Sequence, residues 1–385
     1  MNILFFLRKF PIYGGVERMT INLASILNQK GYNIYIISQK GEADELLSEL
    51  SSNIKLFFLP NEKQFLSACN INYFIQIITC YNIDCIINQG CYVDVNKFLQ
   101  RLSSQIKKPI FSVLHNDPLA PIKDIKRNIE IKNWKSILKK LFFPIYKSRI
   151  KYLTQNNYKH ICAFSDKIIL LSKSFIKDFK QYSHCPDSKL IVIPNGVPFT
   201  TSSIQIPKEK IIIYVGRVIE QQKRISRLIN IWEQIQSPEW KIQIIGDGKD
   251  LELYKKIVEQ KHIVNIDFLG YKKNIFDYMK KASIISLVSD FEGFPMVLIE
   301  AMHEQCIPIC YGSFSAINDI IENKINGYII PPFNEQDYIK QLKALMNNQE
   351  MREKLSDKAY EKSLTYSIDQ IVPLWENILS TAKGK

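Results

Sequence analysis

The sequence contains no Asp-x-Asp, no Cys-x-x-Cys and no Gly-x-Gly-x-x-Gly. The first absence removes the short carboxylate cluster that usually holds a divalent cation against a phosphate. The second removes the paired cysteines on which the common zinc frameworks are built. The third excludes the dinucleotide fingerprint. The eight cysteines (69, 80, 85, 91, 162, 185, 306 and 310) sit mostly among apolar residues and read as small core hydrophobes in a reduced cytoplasm. No apolar run is long enough to span a bilayer. Residues 1–6 are apolar, but Arg8 and Lys9 follow at once, the reverse of a signal peptide's order.

What is present is a soluble globular composition, 46% hydrophobic and 23% charged. At 385 residues the chain is too long for one ordinary core and suits two domains. The net charge of +13 is concentrated: residues 121–160 hold eleven Lys or Arg against only Asp124 and Glu130. Within that segment Trp134, Ile137, Leu138, Leu141, Phe142 and Ile145 recur at helical spacing, with Lys135, Lys139 and Lys140 elsewhere on the helix. Pro144 is expected to kink or end this helix. A basic amphipathic helix with aromatics suits an anionic membrane surface. Equally, its stripe can pack on its own domain. No nucleic-acid motif accompanies the charge, so no nucleic-acid partner is expected.

Short apolar runs alternate with helical patterns along the whole chain. Strands are expected at 2–7, 33–38, 56–59, 85–88, 110–114, 167–172 and 190–193, with a helix at 16–29. After the turn cluster Pro194-Asn195-Gly196-Val197-Pro198 the pattern restarts. Strands are expected at 211–215, 241–245, 266–268, 284–287, 307–310 and 327–330, with helices at 224–236 and 251–261. Uninterrupted apolar strands between helices indicate α/β architecture: two tandem doubly wound parallel sheets covered on both faces. The domains are placed at 1–198 and 199–365, with a terminal helix, 366–385, packing back on the first. Ligands of such sheets lie at the carboxyl ends of the strands, which predicts a central cleft between the two domains.

The most informative stretch is Asp290-Phe291-Glu292-Gly293-Phe294-Pro295-Met296-Val297-Leu298-Ile299-Glu300-Ala301-Met302. Pro295 suits the first position of a helix, where a missing N–H costs nothing. Glu292 then lies on the preceding loop and Glu300 on the second turn. The amides of about residues 293–297 are expected to point out of the helix start with partial positive charge. A phosphate site flanked by two hydroxyl-seeking carboxylates suits a sugar nucleotide.

With Gly14-Gly15-Val16-Glu17-Arg18, Pro194-Asn195-Gly196-Val197, Gly216-Arg217 followed by Lys223, and Gly246-Asp247-Gly248, the chain resembles glycosyltransferase family 4. These are the retaining, sugar-nucleotide-dependent enzymes of the GT-B fold, and the resemblance covers nearly the whole sequence. It implies that Arg217 and Lys223 neutralise the nucleoside diphosphate, a role that two cations at a strand terminus also suit physically. It implies that Glu300 accepts the ribose hydroxyls and that Glu292 holds hydroxyls of the donor sugar. Phe294, Pro295, Met296 and Val297 would present backbone to phosphate and sugar. Gly15, Gly246 and Tyr271 fall on the donor side, with the base near Gly270 and Tyr271. Gly14, Glu17 and Asn195 fall on the acceptor side or in the cleft. The glycine pair lets backbone approach a ligand, or simply makes a tight turn. His115 ends a strand where the family has a functional histidine, and is expected, with Glu292, to be catalytic. Asp117 is a second polar group there or a turn former.

The resemblance further implies substitution on one face, in which the departing phosphate accepts the acceptor's proton. No metal or other cofactor is expected. The expected activity is transfer of a hexose or N-acetylhexosamine from a nucleotide sugar, with UDP as the nucleotide, to a glycan acceptor. That acceptor would be lipid-linked, on the inner face of the cytoplasmic membrane, in bacterial surface polysaccharide synthesis. A sugar-nucleotide epimerase of the same fold and a non-catalytic sugar-nucleotide-binding relative are the alternatives. Two departures stand out: Arg224 replaces a glycine frequent after the lysine, and Tyr311-Gly312-Ser313-Phe314-Ser315-Ala316 replaces a Gly-Gly pair. The latter resembles the variant of enzymes that build capsule, O-antigen or other surface glycans.

Overall fold

A computed structural model describes residues 1–12, 14–127, 143–199 and 206–382. The chain divides into two compact units: Met1–Pro198 together with Ile368–Lys385, and Phe199–Ser367.

The first unit is a seven-stranded parallel sheet. Its strands are β1 Asn2–Phe10, β2 Asn33–Lys40, β3 Lys55–Phe58, β4 Cys85–Asn88, β5 Ile110–Leu114, β6 Lys167–Leu170 and β7 Leu190–Val192. Their spatial order is β3-β2-β1-β4-β5-β6-β7. The central strands are Ile-, Leu- and Phe-rich and buried on both faces, as a parallel sheet covered by helices requires. β1 runs three residues beyond the expected end because β2 continues beside it: after a register shift, Lys9 pairs with Gln39 and Phe10 with Lys40. Phe6 anchors the core, with the rings of Phe74 at 5.0 Å and Phe98 at 5.4 Å.

Pro144 lies in the helix Phe143–Phe164, and the segment before it, on which the expected kink or helix end falls, lies outside the described residues. Of the expected amphipathic stripe, Trp134, Ile137, Leu138, Leu141 and Phe142 lie outside the described residues. Ile145 is exposed, as are Tyr146, Tyr152 and Leu153 beside Lys147, Arg149 and Lys151.

The second unit repeats the plan with six parallel strands: β8 Glu209–Val215, β9 Lys241–Ile245, β10 Ile266–Gly270, β11 Ala282–Leu287, β12 Ile307–Tyr311 and β13 Tyr328–Ile330. The order is β10-β9-β8-β11-β12-β13. Both units are therefore doubly wound α/β layers. In each the first strand is central and the winding direction reverses beside it, between β1 and β4 and between β8 and β11. Fully buried Trp232, Tyr214, Tyr254 and Tyr338 fill the second core.

The final helix, Ile368–Ser380, belongs to the first unit, where Ile368 N–H donates to Val197 O at 2.9 Å. A Cβ on Gly196 would lie 2.7 Å from Ile368 Cδ1, 3.0 Å from Ile368 Cα and 3.1 Å from Ile371 Cβ. The missing side chain is thus what seats the helix. Gly196→Ala is expected to cost about 1–3 kcal/mol through overpacking. Faster amide exchange in residues 371–379 and a lower midpoint of urea unfolding would register it, and unchanged exchange there would refute it.

Candidate functional site

In the second unit the strand-end turns are built on glycine because they stack on one another. Gly246 has φ +142°, and a Cβ there would fall 1.9 Å from Gly216 O. Val218 N–H donates to Asp247 O at 2.8 Å and Gly216 N–H to Ile245 O at 3.0 Å. The requirement for glycine at 246 therefore comes from the neighbouring turn. Arg217 emerges from this stack exposed, and among the described residues it has no carboxylate partner. Its carbonyl accepts from the buried Tyr214 hydroxyl at 3.0 Å. Tyr271 follows Gly270 (φ +70°) at the end of β10 and is 68% exposed.

Lys223 closes the short helix Glu220–Lys223. Arg224 then adopts a left-handed conformation, φ +49° and ψ 47°, and the next helix, Ile225–Ile235, starts one residue later than expected. This conformation accounts for the glycine frequent at that position: an L-residue there is strained by roughly 1–2 kcal/mol. Arg224 offsets the strain with two contacts, Nε to Asp290 Oδ2 at 2.8 Å and a terminal nitrogen to Glu220 Oε1 at 3.3 Å. Glu220 also accepts from Ser226 Oγ at 2.7 Å and from the Tyr254 hydroxyl.

The loop after β11 is fastened to this same segment. Asp290 Oδ1 meets Arg227 at 2.6 Å, Asp290 N–H donates to Gln222 O at 3.0 Å, and Gln222 Nε2 donates to Phe291 O at 3.2 Å. At the centre Lys223 Nζ lies 2.6 Å from Glu292 Oε1, with both side chains almost buried. The lysine expected on phosphate and the glutamate expected on sugar are thus one ion pair.

Beyond Glu292 the chain turns into the helix Met296–His303, with Pro295 as its N-cap and not its first residue. The expected fan of free amides is narrower than the sequence suggested. Met296 N–H turns back to Phe294 O at 2.9 Å and Leu298 N–H to Pro295 O at 3.0 Å. The Gly293, Phe294 and Val297 amides have no acceptor among the described residues. The Phe294 ring is buried, edge-on to Tyr366 at 5.6 Å, which fixes the backbone that bears those amides. Glu300 is half-buried on the second turn.

In the first unit, His115 follows β5, and its Nε2 lies 2.6 Å from Gln89 Oε1. A carbonyl oxygen only accepts, so in this pairing Nε2 carries the proton and Nδ1 is left to accept. Burial pushes the imidazole down to about 4. The ring is neutral near pH 7 and serves as a hydrogen-bonding group, not as an acid. Asp117 is a turn former: it accepts from Leu119 N–H at 2.8 Å and pairs with Lys123 at 2.6 Å. Gly14 is extended (φ −169°), and a Cβ there would strike Glu17 Oε2 at 2.2 Å, whereas a Cβ on Gly15 would meet nothing within 4 Å. Burial raises the Glu17 carboxyl, opposed in part by a bond to its own backbone. Asn195 is half-buried on the turn that seats the terminal helix.

Asp290, Arg227 and Gln89 were not singled out from sequence. Their only signal was an acidic residue two before Glu292 and a basic pair at 224 and 227, and which partner each meets depends on how the strands are ordered.

Two family models match in succession: Glycosyltransferase Family 4 over residues 13–200 and Glycosyl transferases group 1 over residues 200–362. An uncharacterized glycosyltransferase of Haemophilus influenzae is 24% identical across 97% of this chain and 99% of its own length. The amylovoran biosynthesis glycosyltransferase AmsD of Erwinia amylovora is 29% identical over 45% of this chain and 49% of its own. Among solved structures, Anabaena Alr3699/HepE in complex with UDP-glucose has a TM-score of 0.77 at 17% identity, covering 99% of this chain and 100% of that one.

Two predictions follow from the geometry. Lys223→Met strands the Glu292 carboxylate and should cost on the order of 3 kcal/mol. Adding Glu292→Gln should recover part of the loss in a double-mutant cycle by chemical denaturation, and strict additivity would refute the pairing. Because the folded His115 titrates near 4, below the ordinary 6.5 or so of the unfolded chain, protons favour the unfolded state between those values. The stability it lends is whole above about pH 6.5 and drains away as pH falls towards 4. His115→Gln should flatten that part of the stability–pH curve.

Proposed function

The chain belongs to the family 4 glycosyltransferases of the GT-B fold, and on that premise we propose that it is a retaining transferase using a UDP-sugar in bacterial surface glycan synthesis. The observation that carries this reading is the buried Lys223–Glu292 pair beside exposed Arg217, at the point where the second sheet reverses direction. Such a switch point is where doubly wound sheets bind nucleotides. Arg217 lies ready for the diphosphate, and the Gly293, Phe294 and Val297 amides add partial positive charge at a helix start. Lys223 divides its charge between Glu292 and the phosphate that leaves, so countercharge strengthens as the bond breaks. Glu292, held by Lys223, accepts hydroxyls of the transferred hexose or N-acetylhexosamine, and Glu300 accepts those of the ribose.

Retention arises by same-face substitution, with the departing phosphate taking the acceptor's proton. Glu292 is the candidate nucleophile for a two-step route, and its pairing with Lys223 leaves it to steady charge at the anomeric carbon instead. Neutral His115, its Nε2–H held by Gln89, keeps Nδ1 as a hydrogen-bond acceptor for a sugar hydroxyl. Side chains and backbone dipoles hold the diphosphate without a divalent cation. The names of an Escherichia coli relative, a lipopolysaccharide 1,6-galactosyltransferase, and of the Anabaena UDP-glucose complex support a surface glycan and a UDP donor. The acceptor is lipid-linked, and the enzyme meets it peripherally on the inner face of the cytoplasmic membrane. Exposed Ile145, Tyr146 and Tyr152 among Lys147, Arg149 and Lys151 support that placement. Among the described residues no helix is long and apolar enough to cross a membrane.

Incubation with UDP-glucose, UDP-galactose and UDP-N-acetylglucosamine, with and without a bacterial membrane extract, tests the reading. Extract-dependent release of UDP that persists in excess EDTA is expected. Isomerisation of the donor sugar would point to an epimerase, and saturable binding with no turnover to a non-catalytic relative. Glu292→Gln should lower kcat roughly 100-fold or more, within the range of lost electrostatic stabilisation, while KM for the donor changes little. A covalent sugar on Glu292, found by mass spectrometry, would overturn the same-face route.

A further inference from the structure

The first unit has its own switch point, between β1 and β4, and a cavity of about 420 Å³ opens beside it. Its lining is Arg8 near the end of β1, Leu66 from the segment after β3, and Tyr92, Val93, Asp94 and Lys97, which follow β4. Doubly wound sheets bind ligands outside the carboxyl ends of the strands at such points, and the volume is that of a small-molecule site.

The lining is arranged. A Cβ on Gly90 would come within 3.0 Å of Tyr92 Cδ2, so the bare glycine lets the ring lie against the backbone next to β1. Arg8 reaches over the ring, 5.4 Å from its centroid, and is held by Asp94 through Nε–Oδ2 at 2.8 Å. Tyr92 and Val93 are about half exposed. Lys97, one helical turn beyond Asp94, is exposed and has no carboxylate partner among the described residues.

An amphipathic ring beside aliphatic surface, with cationic donors and a carboxylate acceptor at its edge, is recognition chemistry for a hydroxylated ring. The apolar C–H face lies on Tyr92, Leu66 and Val93, while hydroxyls meet Asp94, Arg8 and Lys97. Charge selects between a neutral sugar and a phosphoryl group. Arg8 is already neutralised by Asp94, and a phosphoryl group would have to sit beside that carboxylate with one uncompensated cation facing it. We propose that this crevice binds the terminal neutral hexopyranosyl unit of the acceptor. The proposal rests on the transferase reading and names the chemistry of the acceptor that reading leaves open.

Saturation-transfer NMR on the full chain tests it, with methyl α-glucopyranoside, methyl α-galactopyranoside and methyl N-acetyl-α-glucosaminide as probes and inorganic phosphate as competitor. Saturation should reach the ring C–H protons of at least one hexoside, and phosphate should not displace it. Tyr92→Ala and Lys97→Ala should each weaken binding roughly tenfold, as the loss of an aromatic face or a hydrogen-bonding cation does. Tyr92→Phe, which keeps the ring, should restore most of it. No saturation of any hexoside, displacement by phosphate, or equal signals in wild type and both alanine variants would overturn the proposal. The rise in Tm with UDP, measured on every variant, checks that each is folded. If UDP raises the wild-type Tm and UDP-sugar is turned over while the hexoside results are negative, only this inference fails. If UDP neither binds nor is released, the transferase reading fails first.

Discussion

The contact between Lys223 and Glu292 is the most sheltered of those that join two segments far apart in sequence. One follows β8, the other β11, and the strands are neighbours only because the sheet reverses direction there. Two nearly buried charges at 2.6 Å are stable only as a pair, since either alone would face the full desolvation penalty. The pair therefore fixes the register of its own surroundings. Asp290 between Arg224 and Arg227, and Gln222 with the backbone at 290 and 291, distribute that constraint along both segments. A carboxylate steadied this way is pre-organised for developing positive charge, which is what transition-state stabilisation asks of it.

Arg224 shows how a local liability is absorbed. Its left-handed backbone is unfavourable for any residue with a Cβ, yet glycine could reach neither Asp290 nor Glu220. Breaking an ion pair this sheltered leaves a charge without its partner and costs more than breaking a surface pair, which commonly contributes under 1 kcal/mol or so. The strain and the contacts are of similar size, so the substitution is tolerated while the loop that bears Glu292 becomes more tightly tied.

Much of the architecture was legible because parallel strands announce themselves as apolar runs and both units follow the same alternation. Lys223, Glu292 and Glu300 were legible as charges at characteristic spacing around a Gly-Phe-Pro turn. What escaped depends on long-range partners. Nothing local says that Gly246 answers to Gly216 O, that Lys223 meets Glu292 before it meets any ligand, or that Gln89 shares a proton with His115. Tyr92 and Lys97 carry no local signal, and it is the order of β1 and β4 that brings them to one crevice with Arg8.

The place of the helix Ile368–Ser380 has a consequence for synthesis of the chain. The unit that begins first is interrupted by one that is continuous from Phe199 to Ser367, and it recovers its last helix only afterwards. During translation the second unit has all its strands and helices in hand while the first still shows the bare seat at Gly196 and Val197. The order of completion is thus the reverse of the order of synthesis: the half made first stays open the longest, at the turn where its last helix docks.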